Sequence, residues 1–424
     1  MSAASRADQP SAPVELFVAR QPIFQSDRTL AGYELLFRTG SQNIFPVGVD
    51  PDKASKEIIG QTLSVFGLEA LVGTKLAYVN VTRKVLVDAT YAALPAERLV
   101  LELLETLRPD PETLAACRAA KAAGYQIALD DYVDQPELAD FLPLCDVIKV
   151  DFRSADAERR RAIASRYAGT NQKLLAEKIE TEEDFVSARD LGFNYFQGFF
   201  FCRPEMLSRT DIPVSKLVYL QFLSELNRRE LDFKRIEQVI KQDVALSVKL
   251  LRYLKAAAFG WRTEITSIKQ ALAMLGERPF RRWASVLVMA ALSSDRPAEL
   301  LSTCLVRARF CEQLAPELDL KARELDLFVL GLFSLMDAVI GRPLSELLSD
   351  VALPADLQEA LLPTGKTNRM SDVLALVTAY ERADWRNVDA LSTRLSLQNS
   401  IGTLPRFYQE ALAWATTTAM AGRS

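Results

Sequence analysis

The stretch Tyr125-Gln-Ile-Ala-Leu-Asp-Asp-Tyr-Val-Asp-Gln-Pro-Glu-Leu138, followed closely by Asp146-Val-Ile-Lys-Val-Asp151, decides the fold. Its first apolar run ends in the paired acids Asp130-Asp131. The second carries Lys149 and closes on Asp151. Short apolar runs bounded by polar residues read as buried strands. Adjacent acids at the end of a buried strand are costly to hold together unless a cation neutralises them. A catalytic loop is expected between the two runs, at residues 132–138.

Working outward, strand-like and helix-like segments alternate from about residue 16 to residue 201. The strand candidates are 16–23, 33–37, 76–81, 98–103, 125–129, 146–150, 172–176 and 195–197. Asp110 before Pro111 is a helix cap, with Gly124 as the stop. Thr181 before Glu182-Glu183-Asp184 is another, with Gly192 ending that helix. Eight strands alternating with helices imply a (β/α)8, TIM-like barrel.

Glu34, Asn80, Glu102, Asp130, Lys149, Glu177 and Gln197 each belong to a different strand candidate. Taken singly, each has an ordinary reading as a solvated strand end, a turn cap or half of a structural ion pair. Taken together they converge at one barrel mouth. Carboxylates and an amide suit one or two hard cations, and a lysine beside them can hold a metal-bound water or a phosphate oxygen.

Composition narrows the chemistry. A chain of 424 residues, with 49% apolar and 25% charged residues, implies a globular protein of two domains. There is no histidine, which excludes imidazole as base, triad member or metal ligand. A metal must therefore sit among oxygens, as magnesium, manganese or calcium does. Cys117, Cys145, Cys202, Cys304 and Cys311 form no C-x-x-C pair and read as reduced packing residues. The net charge of −4 gives no reason to expect a nucleic-acid partner. Arg159-Arg160-Arg161 and Arg281-Arg282 read as solvated helix faces. No apolar run is long enough for a membrane span or a secretory signal. A cytoplasmic protein with a disordered tail at residues 1–13 is expected.

The motifs resemble those of the EAL domain. Gln21-Pro-Ile23, Tyr33-Glu-Leu-Leu-Phe-Arg38, Val79-Asn-Val81 and Leu101-Glu-Leu-Leu-Glu-Thr106 carry the resemblance. So do Leu129-Asp-Asp-Tyr132, Ile148-Lys-Val-Asp151, Ala176-Glu-Lys-Ile-Glu-Thr181 and Tyr195-Phe-Gln-Gly198. EAL domains are barrels that bind, and in active members hydrolyse, the bacterial messenger cyclic di-GMP. The resemblance implies that Glu34, Asn80, Glu102 and Asp130 hold a first magnesium or manganese, and that Asp131 serves a second. It makes Lys149 the group orienting the attacking water, Glu177 a base or ligand, and Gln197 a support for that cluster. Gln21 and Arg38 would contact the dinucleotide, Arg38 through a phosphate. Glu105 would anchor the loop after Asp131, and Glu180 would lie outside the metal ligands.

Two departures bear on activity. Active EAL members follow the paired aspartates with a glycine-containing, serine-rich loop, whereas Tyr132-Val-Asp-Gln-Pro-Glu-Leu138 has no glycine and carries a proline. The usual Glu-Gly-Val-Glu is Glu177-Lys-Ile-Glu180. Slow hydrolysis to pGpG and binding without turnover, as a receptor or scaffold, both stay open.

Beyond Arg203-Pro204 the pattern becomes all-α, with a boundary near residues 205–213, giving a barrel at 14–205 and a helical domain at 206–424. Ile236-Glu-Gln-Val-Ile-Lys-Gln-Asp-Val-Ala-Leu-Ser-Val-Lys-Leu-Leu-Arg252 resembles the opening of the HDOD domain, continued by Ala258-Phe-Gly260, Ile265-Thr-Ser-Ile-Lys-Gln-Ala271 and Met274-Leu-Gly276. Gly331-Leu-Phe-Ser-Leu-Met-Asp337 resembles its later helices in proteins that join the two domains. The resemblance implies a regulatory surface for a protein partner, and for the barrel a homodimer. Asp243 and Asp337 are expected as caps or surface acids. Arg278-Pro-Phe-Arg-Arg-Trp283 is either a contact site or a packed turn.

Overall fold

The computed structural model describes residues 16–39, 67–202, 214–228, 230–241, 276–349, 351–362, 367–398 and 400–423. The tail at 1–13, the boundary at 205–213, Asp243 and most of the HDOD-like motifs between 242 and 275 lie outside the described residues.

All eight expected strands form: β1 Leu16–Gln25, β2 Leu30–Thr39, β3 Leu76–Val81, β4 Leu99–Leu103, β5 Gln126–Leu129, β6 Val147–Asp151, β7 Lys173–Glu177 and β8 Tyr195–Gln197. They close into one barrel in chain order. From β2 to β8 neighbours run parallel, but β1 is antiparallel to both β2 and β8. Strict β/α alternation therefore fails at the first connection, and length is the reason. The link at residues 26–29 folds into a tight turn, with Gln25 N donating to Thr29 O at 2.8 Å and Arg28 at φ 64°. So short a link makes a hairpin, since a parallel crossover needs a dozen or more residues.

The interior is layered. Ile23, Tyr78, Val100, Ala128, Val147 and Leu175 form an apolar plug of their own. The last five each stand two residues before Asn80, Glu102, Asp130, Lys149 and Glu177. Side chains repeat every second residue along a strand, so the same inward rows that fill the floor present the polar groups at the mouth.

Outside the barrel the helix signals hold. Asp110 accepts from Thr113 N at 2.9 Å to start α1 (Pro111–Ala122), and Gly124 follows it at φ 91°. Asp156 caps α2 (Ala157–Tyr167), and Thr181 with Asp184 forms the capping box of α3 (Glu182–Asp190).

The C-terminal part is helical throughout its described residues. Its longer helices are α4 (Val214–Asn227), α5 (Glu277–Leu292), α6 (Ala298–Gln313), α7 (Glu324–Phe333), α8 (Arg369–Glu381), α9 (Trp385–Arg394) and α10 (Leu404–Arg423). Gly331 lets α7 approach α6 closely, because a Cβ there would lie 2.4 Å from Arg307 O. Arg281, expected on a solvated face, is instead buried. Its guanidinium donates to Leu226 O and Arg228 O at the end of α4, while Arg278 and Pro279 of the same helix stay exposed. No helix among the described residues is long and apolar enough to cross a membrane.

The outer face of the β1–β2 hairpin packs on the helical part. Phe17 meets Trp385 edge-on at 6.0 Å and lies 6.4 Å from Tyr380. Tyr33 Oη donates to Glu299 Oε2 at 2.9 Å, while the Arg20 guanidinium lies 4.2 Å over the Tyr33 ring and 3.8 Å from Glu299.

Candidate functional site

Lys149 is the hub of the barrel mouth. Its ammonium is fully buried and lies 2.7 Å from Glu102, 2.8 Å from Asp130, 2.9 Å from Glu177 and 3.5 Å from Glu34. These residues come from β6, β4, the end of β5, β7 and β2, and closure of the barrel brings them to one mouth. Gln197 on β8 donates from one amide nitrogen to Glu34 Oε2 at 2.5 Å and to Gln21 Oε1 at 3.1 Å. Gln21 pairs directly with Glu34 across the β1–β2 ladder. Asn80 Nδ2 donates to Glu34 Oε1 at 3.3 Å. Gly198 closes β8 at φ 147°, where a Cβ would lie 2.0 Å from Ile179 O. Only glycine permits that approach, which aligns Gln197 O to accept from Ile179 N at 3.0 Å.

One ammonium faces four carboxylates, and the electrostatics show the mismatch. Burial, then Glu34 and Asp130, push the Glu102 carboxyl well above its usual range against the pull of Lys149. Burial, opposed by Lys149, raises Glu177 to about 8. Burial and the neighbouring Asp130 raise Asp131. Burial alone would lower Lys149, but Glu102, Glu177, Glu34 and Asp130 outweigh it and hold the ammonium charged.

The donor set fits added cations. Asn80 Oδ1, Glu102 Oε2, Glu177 Oε2 and Gln197 Oε1 are buried without a hydrogen-bond donor. Buried orphan acceptors of this kind are expensive unless something electropositive meets them. Glu105, Asp130 and Asp131 each bring one oxygen within 4.8 Å of the others'. Among the described residues these all-oxygen groups suit a hard divalent ion.

The sequence-predicted residues do not all gather. Glu34, Asn80, Glu102, Asp130, Lys149, Glu177, Gln197 and Gln21 come together, and Asp131 with Glu105 lies beside them. Glu180 lines the cavity above the mouth, where it pairs with Arg153. Arg38 stands apart. It is buried against the helical part, donating to Asp389 Oδ2 at 2.8 Å and to Trp385 O at 3.3 Å.

The loop after the aspartates is ordered by bonds that motif reading does not supply. Asp131 and Asp134 take the left-handed region, at φ 44° and 66°, which short polar side chains tolerate. Tyr132 is buried, its N–H donating to Lys149 O at 2.9 Å and its hydroxyl to Asp134 at 2.9 Å. Arg166 on α2 grips Asp134 with both terminal nitrogens. Lys178, standing where a glycine is usual, adopts φ 56° and sends its ammonium to Asp151 at 2.6 Å and Asp131 at 3.5 Å.

Above the mouth lies a cavity of about 690 Å³ shared between the two parts of the chain. Glu34, Asp131 and Glu177 line its floor, and Arg307, Asp337 and Arg382 its roof.

Comparison with known proteins follows the same division. A family profile for the EAL domain matches residues 75–204, and one for the HDOD domain matches residues 212–344. The chain is 34% identical over 375 residues to the cyclic di-GMP phosphodiesterase CdgJ of Vibrio cholerae, covering 88% of this chain and 86% of that protein. It is 30% identical over 409 residues to the uncharacterised protein YuxH of Bacillus subtilis, covering 95% and 98%. Among solved structures, the Bacillus subtilis YkuI protein, with an EAL domain and in complex with cyclic di-GMP and calcium, aligns at 17% identity and a TM-score of 0.39, covering 62% of this chain and 72% of that one.

Proposed function

The chain belongs to the family that joins an EAL domain to an HDOD domain, and from that premise we propose that it is a cytoplasmic bacterial phosphodiesterase opening cyclic di-GMP to linear pGpG. The observation that carries this reading is the buried lysine ringed by four carboxylates, with orphaned oxygens left over for cations. Glu34, Asn80, Glu102 and Asp130 would hold a first magnesium or manganese, and Asp131, with Glu105 beside it, a second. When bound, the cations would neutralise the phosphodiester and supply a nucleophile at neutral pH.

The chain's own residues do the rest. Lys149, immobilised from four sides, orients the attacking water. Glu177, 2.9 Å from Lys149, is the carboxylate placed to accept a proton. Gln197 holds Glu34 in place, and Gln21 meets the dinucleotide at the rim. Arg38, which would meet a phosphate, also holds Asp389, and that pair ties ligand engagement to the helical domain. That domain, placed at 206–424 behind a barrel at 14–205, acts as the regulatory surface for a protein partner, and the barrel forms a homodimer.

The test is chromatography of cyclic di-GMP after incubation with purified protein and magnesium or manganese. The linear product should appear, and Glu102→Ala or Lys149→Ala should abolish it, a loss of at least about 100-fold. Intact nucleotide recovered from saturated protein would instead make the barrel a receptor.

A further inference from the structure

We propose that the Lys178 ammonium is a built-in competitor for the outer cation of the barrel mouth, so that a divalent ion at Asp131 is held weakly and exchanges while the inner ion stays. The inference rests on the two-cation part of the cyclic di-GMP reading and adds to it a residue that sets the affinity of one position. Its first support is shared charge. Lys178 Nζ lies 3.5 Å from Asp131 Oδ1, and Asp131 is one of the three carboxylates, with Glu105 and Asp130, whose oxygens gather within 4.8 Å. The ammonium therefore already offsets a charge that a second ion would use.

The second support is that the ammonium is tethered. Asp151 is buried and accepts from Arg153 N at 2.7 Å, Ser154 N at 3.3 Å and Ser154 Oγ at 2.8 Å. Lys178 Nζ reaches this fixed post at 2.6 Å. A long flexible stem would otherwise let the charge wander through solvent, and the post keeps it beside Asp131.

The third support is the contrast between two lysines. Lys149 is fully buried among Glu34, Glu102, Asp130 and Glu177, whereas the Lys178 side chain stays 46% exposed beside Asp131. Charges open to water attract less strongly, so Lys178 weakens the outer position without closing it. The backbone agrees with a specific placement, because Lys178 sits at φ 56°, in a region that non-glycine residues other than Asn and Asp seldom adopt.

The test is titration of the nucleotide-free protein with manganese, with free ion read by electron paramagnetic resonance. The unsubstituted protein should show a tight class and a weaker one, and Asp131→Asn should remove the weaker. Lys178→Asn and Lys178→Gly, both suited to the left-handed backbone, should tighten the weaker class roughly 10-fold and shift the tight class by less than about 3-fold. Lys178→Arg, which keeps the charge, should leave the weaker class weak. Thermal melting of each variant checks the fold, and Asp151 retains three donors when the lysine is lost. A weaker class of unaltered affinity in both the asparagine and glycine variants overturns the competition and leaves the barrel reading standing. A single class in the unsubstituted protein that stays single in both variants also overturns it. No manganese bound by any form overturns both.

Discussion

At the residue scale the protein stores charge in a place that cannot solvate it. Glu177 shows the consequence most directly, because burial raises its folded pKa to about 8 from 4.5. In metal-free protein the native state then binds more protons than the unfolded chain between those values, so this group's contribution is full below the lower pKa. It is lost as pH rises through the upper one. Melting in EDTA should therefore fall between about pH 6 and about pH 8.5, and Glu177→Gln, whose amide does not titrate, should flatten the slope. A divalent ion should raise the melting temperature more at the alkaline end, where ligands need shed no protons. A metal-free profile that rises with pH through this window would falsify the assignment of a raised carboxyl. Lys149 is the counterpart. Removing its ammonium leaves buried like charges facing one another, and Lys149→Met should cost about 3–5 kcal/mol in the metal-free protein, read by denaturant titration.

At the scale of elements, two glycines fix how neighbours approach. Gly198→Ala sets a Cβ 2.0 Å from Ile179 O, against backbone that cannot step aside. The variant should lose about 1–3 kcal/mol. It should also displace Gln197, so activity should fall even where the folded fraction is restored by lower temperature. Gly331→Ala, 2.4 Å from Arg307 O, should cost a similar amount through the α6–α7 contact without touching the mouth. The strands were legible because each apolar run ends in a polar group, and the two-residue step between Tyr78 and Asn80 or Val147 and Lys149 puts floor and mouth residues on one face of each strand. The caps at Asp110 and Thr181 were legible because their bonds are local. The antiparallel start does not show in the number of strands, although the short link before β2 already forbids a crossover. The loop at 132–138 carries no glycine, yet Asp131 and Asp134 accept the left-handed region and Arg166, far along the chain, completes the turn, a bond that no local pattern announces.

At the scale of the whole molecule, the seam between barrel and helices was invisible in the sequence because its partners are hundreds of residues apart. Arg38 and Asp389, or Tyr33 and Glu299, carry no mutual signal in spacing. Yet the seam is built like a core. Phe17 is fully buried between Trp385 and Tyr380, and the Tyr33 hydroxyl is satisfied by Glu299. The β1–β2 hairpin thus belongs to the barrel by its ladder and to the helical domain by its outer face. The two halves should therefore unfold as one cooperative unit. Phe17→Ala opens a void among Tyr380 and Trp385 and should cost about 3–5 kcal/mol, the range for a buried phenylalanine. Because the loss falls on the seam, calorimetry should show the single transition of the unsubstituted protein splitting in two. The variant's barrel should still bind a divalent ion, since none of its donors touches Phe17, while affinity for the dinucleotide drops as the roof of the shared cavity moves. A variant that melts in one transition with unaltered ligand affinity would mean that the hairpin does not couple the domains, and that the mouth of the barrel works without its helical roof.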